Sequence, residues 1–138
     1  MRSALLPLLF IMALAVTARP AGVVDGPALN QNFDLRVGQT VSIEGTRLKV
    51  GFQSVVEDSR CPEDVTCVWA GNAKISLSVN KVGRPRGATV INLNSGLNPK
   101  HISYQGYDIK LVGVKPPRNS KTKIGQGDYV ITLIVTKI

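Results

Sequence analysis

EDSRCPEDVTCVWAGNAKISLSVN, residues Glu57 to Asn80, is the stretch on which the fold turns. Every second residue from Cys67 is small or apolar: Cys67, Trp69, Gly71, Ala73, Ile75, Leu77, Val79. The interleaved residues become polar from Asn72 onward. A period of two held this long predicts a strand with one face on a core and the other toward water. A helix would spread the same apolar residues round its circumference. Gly71 marks a bulge or a close backbone approach that divides the run. The phase turns Trp69 inward, beside the cysteines, as a core tryptophan packed on a disulfide. An exposed carbohydrate platform is the alternative for this side chain.

Cys61 and Cys67 are the chain's two cysteines. In an oxidising compartment they are expected to form a disulfide that closes a short loop. On the chain-entropy model so small a ring stabilises by only about 2 kcal/mol, enough to staple a loop to a strand end. Zinc is a poor rival, because two thiols and the distant His101 cannot supply four ligands. The spacing also differs from the CxxC of redox proteins. Glu57, Asp58, Glu63 and Asp64 form an acidic cluster that could hold calcium. They lack the EF-hand ligand spacing, and solvated loop charges are the simpler reading.

The string Asp58-Ser59-Arg60-Cys61-Pro62, then Val65, then Cys67-Val68-Trp69-Ala70-Gly71 and Ala73, resembles a motif (DSRCPxxVxCVWAGxA) of short exported bacterial proteins of unknown function. The likeness runs from the Phe33 strand to the C-terminal strand. It implies export and a compact β domain, and it carries over no catalytic or binding residue.

Residues 4–16, ALLPLLFIMALAV, follow Arg2 and lead into Val16-Thr17-Ala18. Basic start, apolar run and small-residue cleavage pattern are the three parts of a secretory signal peptide. The run contains Pro7 and falls short of the roughly 20 apolar residues of a membrane span. Residues 1–18 are thus expected to be removed, residues 19–32 to form a flexible linker, and residues 33–138 to form one domain that is secreted or periplasmic.

The whole chain carries 17 basic and 9 acidic residues; losing residues 1–18 removes Arg2 and no acid. From Lys74 to Lys123 ten basic residues face Asp108 alone. The basic loops at 81–87 and 115–126 present Arg84, Arg86, Lys115, Arg118, Lys121 and Lys123 as candidates for binding an anionic partner. For an exported protein that partner is an anionic glycan, a lipid surface or an acidic exported protein rather than nucleic acid. Solubility alone would also account for the charge.

Short alternating runs, joined by Gly, Pro and Asn turns, recur along the domain. Phe33, Leu35 and Val37 begin a strand, and Val41 and Ile43 resume it. Leu48, Val50, Phe52 and Val56 share a face of the next. Thr89–Leu93 and the Tyr107, Ile109, Leu111 alternation add two more, while residues 94–105 show no period and are expected to be loop. The last segment, Asp128–Ile138, is apolar on both faces, which places it mid-sheet or under a cover. Seven strands and no helix predict an all-β, two-layer antiparallel β-sandwich, immunoglobulin-like in its late tyrosine, with a small β-barrel as the alternative.

The chemical inventory is thin. His101 is the one histidine, and GxSxG, HExxH, Walker and GxGxxG patterns are lacking. The two methionines, Met1 and Met12, both lie in the signal segment, which leaves copper poorly served. The expectation is a binding or structural module without cofactor. A loop-inserting inhibitor and, more remotely, a hydrolase using His101 are the alternatives.

Overall fold

The computed structural model describes residues 26–83 and 87–138. The expected signal segment, residues 19–25 of the linker, and Arg84 and Arg86 lie outside the described residues. The alternating stretch forms β4 (Ala73–Lys81), in which Ala73, Ile75, Leu77 and Val79 are fully buried. It lies between β3 (Leu48–Asp58) and β5 (Thr89–Asn94), so its backbone is paired on both edges. The short β2 (Thr40–Ser42) completes an antiparallel sheet of order β2-β3-β4-β5. The second sheet, order β1-β8-β7-β6, comprises β1 (Asn32–Arg36), β6 (His101–Tyr104), β7 (Tyr107–Lys115) and β8 (Val130–Lys137).

Across the layers β1 contacts β3 and β5 contacts β7. The strands thus follow one another round the two layers in chain order. Among the described residues no ladder joins the sheets, so they form a sandwich rather than a closed barrel. The core is their inward alternation: Leu48, Val50, Phe52, Ile75, Leu77 and Leu93 from one layer meet Leu35, Ile109, Ile131, Leu133 and Val135 from the other. Each large side chain so buried stabilises by about 1.5–3 kcal/mol. The doubly apolar C-terminal segment is β8, which sits in mid-sheet between β1 and β7, as its composition predicts.

Four details depart from expectation. The strand begins at Ala73, because Gly71 takes a left-handed φ of +76° and ends the alternation. Trp69 is consequently 58% exposed instead of sitting in the core. In β3 a register shift between Phe52 and Ser54 reverses the phase, so Val55 is buried and Val56 points outward. Within the expected 94–105 loop lies β6, joined to β7 through Gln105 (φ +49°) and Gly106 (φ +90°). Two positive φ values in a two-residue connection are the geometry of a type I′ hairpin. Finally, the end of the expected linker is docked: Pro27 O accepts from Glu44 N at 2.9 Å, Asn30 N donates to Val135 O at 2.8 Å, and Leu29 packs on the core.

Polar side chains tie the layers at one end. Gln126, in a single 3-10 turn (Gln126–Asp128), mimics a strand residue: Nε2 donates to Val55 O at 2.8 Å and Oε1 accepts from Val55 N at 3.1 Å. Below it Arg60 donates twice to Asp58, at 2.8 and 2.7 Å, and also to the carbonyls of Val114 and Pro116. Tyr129 donates its hydroxyl to Asp58 at 2.9 Å. The late tyrosine is therefore pinned, but to the opposite sheet.

Burial pushes the Asp58 carboxyl up; the hydrogen bonds from Arg60 and Tyr129 and the guanidinium charge outweigh it and hold it below the usual range. Burial and the neighbouring carboxylate together raise the Tyr129 phenol. Arg60→Ala would leave Asp58, whose side chain is 8% exposed, without its cation. Urea unfolding should show a loss of about 3 kcal/mol. Because the folded carboxyl titrates below its unfolded value, this contribution is present above about pH 4 and is lost as pH falls further. Asp58→Asn should flatten that acid limb.

Candidate functional site

The close approach at Gly71 builds one end of the molecule. A β-carbon on this residue would fall 1.9 Å from Ser59 O, so only glycine fits. The two segments entering and leaving the disulfide loop are paired there. Ser59 N donates to Asn72 O at 2.7 Å and Cys61 N to Ala70 O at 2.8 Å. Cys61 and Cys67 are joined, with Cα atoms 5.9 Å apart. The loop is also laced to the 116–124 segment. Glu63 N donates to Arg118 O at 2.8 Å, Arg118 Nη1 to Arg60 O at 2.6 Å, and both Ser120 N and Ser120 Oγ donate to Asp64. Those bonds lower the Asp64 carboxyl.

On the other side Asn72 holds the 94–99 loop. Its buried amide donates to Asn94 Oδ1 at 2.9 Å and accepts from the backbone N–H groups of Gly96 and Leu97 at 2.9 and 3.2 Å. Asn94 passes the linkage on to the carbonyls of Asn98 and Pro99. Between this loop and the stapled segment lies a cleft of about 630 Å³. Trp69, Leu97 and Pro99 line it together with Glu57, Lys74, Asn92 and Asn98. Glu57 and Lys74 are cross-strand partners on β3 and β4. Among the described residues, the side chains of Glu57, Lys74, Asn92 and Asn98 form no hydrogen bond or ion pair within the chain. The cleft therefore offers an aromatic face, unengaged amides, and one charge of each sign.

The residues singled out from sequence are dispersed. The four loop carboxylates do not converge: Asp58 faces Arg60, Asp64 takes Ser120, Glu57 lines the tryptophan cleft and Glu63 lines another. Among the described residues no group of three His, Cys, Asp or Glu lies together as a metal site would require. Of the basic candidates, Lys115 pairs with Asp34 at 3.0 Å, and Arg118 is turned onto the Arg60 carbonyl. The Asp34 carboxyl is lowered by a hydrogen bond from Thr132 and then by Lys115. Lys121 and Lys123 are exposed and line a second cleft of about 600 Å³ with Pro116, Pro117 and Ile124; Glu63 and Asp128 share it. His101 lies on the open face of the β6–β7 hairpin, its Nδ1 2.8 Å from Asp108, and lines none of these clefts.

Asn72, Asn92, Asn94 and Asn98 were not legible as site residues. Asn72 reads as the first polar residue of the alternating strand, Asn92 as part of the Thr89–Leu93 strand, and Asn94 and Asn98 as loop composition. Compared with known proteins, the chain matches no family model, no curated protein and no solved structure.

Asn72→Ala should cost about 2–3 kcal/mol, since it strands the Gly96 and Leu97 amides as well as removing a donor to Asn94. Amide exchange should speed up selectively in residues 94–99, with β4 and β8 unaffected.

Proposed function

We propose that the protein is a non-catalytic binding module that takes a saccharide in the cleft beside Trp69. One observation carries the reading: an exposed indole on a doubly tethered segment borders hydrogen-bonding side chains that the protein itself leaves unengaged. Indole faces are suited to the flat apolar side of a sugar ring, and amides to its hydroxyls. The tethers matter because a site already ordered loses little entropy on binding. Glycoside hydrolysis calls on two facing carboxyls, and Glu57 is the single acid of this lining, which favours binding over cleavage. The expected export signal would bring such a module to glycans outside the cytoplasm.

With one tryptophan in the chain, fluorescence reports on the cleft directly. Titration with a panel of neutral oligosaccharides should quench or shift the emission saturably. A silent panel, with calorimetry equally silent, overturns the reading.

The exposed pair Lys121 and Lys123 favours a second reading, an anionic glycan, lipid surface or acidic exported protein held by the 115–126 loop. Lys121→Glu with Lys123→Glu should shorten retention on heparin beads at low salt, where unscreened charges act furthest. Unchanged retention counts against this loop.

A further inference from the structure

We infer that the sugar recognised at the Trp69 cleft carries an N-acetyl group, an inference that rests on the saccharide reading above. Four asparagines line the cleft beside Glu57, Ser59 and Lys74, and of the four Asn72 and Asn94 are buried and engaged within the protein. Asn92 and Asn98 are exposed in the cleft, each with both donor and acceptor capacity. An acetamido group presents the same complementary set, one N–H and one C=O, so a side-chain amide can pair with either end of it. Hydroxyl-only sugars present no such planar pair.

The apolar part of the lining completes the match. Leu97 is 51% exposed and shares the cleft with Pro99. Both lie on the loop that Asn72 and Asn94 hold by its backbone. A leucine kept at the surface of a braced loop gives a methyl group an apolar contact. A hydroxyl in the same place would be desolvated without a partner. Glu57 and Lys74 bring opposite charges to neighbouring strands, so the lining as a whole is close to neutral and suits an uncharged sugar better than a uronic acid or sulfated unit.

The test compares a β-1,4-linked N-acetylglucosamine trimer with the matching glucose trimer, by calorimetry on the folded domain. The acetylated trimer is expected to bind about tenfold tighter, the worth of one hydrogen bond plus one buried methyl. Leu97→Ala, at an exposed position that should leave the fold intact by circular dichroism, is expected to shrink that ratio severalfold. Equal binding of the two trimers, or a ratio that Leu97→Ala leaves unchanged, overturns the N-acetyl inference while the saccharide reading stands. Binding of neither trimer overturns the N-acetyl inference, and the saccharide reading falls with it when the wider oligosaccharide panel is silent as well.

Discussion

Gly71 sits where the Ser59 carbonyl leaves no room for a side chain, and the organisation of this end of the sandwich follows from that contact. Its left-handed backbone stops the inward-outward alternation of β4 and sends the preceding residues along the surface. Trp69 leaves the core for this reason. Ser59 and Asn72 then pair across the contact, and Cys61 with Ala70, so the disulfide closes a loop whose base is already hydrogen-bonded. Gly96 approaches the same spot from the other side: a β-carbon there would lie 2.2 Å from Gly71 O. Three segments meet backbone to backbone, and the cleft lies along their junction.

The two buried polar assemblies divide the work. Asp58, Arg60 and Tyr129 join the disulfide loop to the opposite sheet, with both charges satisfied by several hydrogen bonds, as a buried pair requires. Asn72 and Asn94 do the same for the 94–99 loop using neutral amides. The apolar core alone would leave these loops free at the sandwich's end. Anchored in this way, they can expose Trp69 and Leu97 to solvent without collapse onto one another.

The sandwich was legible because its central strands keep strict phase: Ile75, Leu77 and Val79, and Ile131, Leu133 and Val135, sit inward as their period demands. The site was not, for two physical reasons. A single positive φ reverses the outlook of every side chain before it, and periodicity extrapolated through Gly71 therefore misplaced Trp69. The bulge after Phe52 misplaced Val56 in the same manner. The cleft's amides come from three segments that only tertiary pairing brings together. Nothing in the spacing of Asn72, Asn92 and Asn98 foretells a shared wall. Among the basic candidates, Lys115 and Arg118 reach partners, Asp34 and the Arg60 carbonyl, that lie far away in sequence, so neither contact could be read from spacing.

The exposure of the lone indole is the claim on which the functional account stands, and collisional quenching measures it most directly. Acrylamide should quench the native protein nearly as efficiently as the urea-unfolded chain, with emission already at the long wavelength of a solvated tryptophan. A blue-shifted native emission that resists quenching would place the indole inside the sandwich and contradict the account.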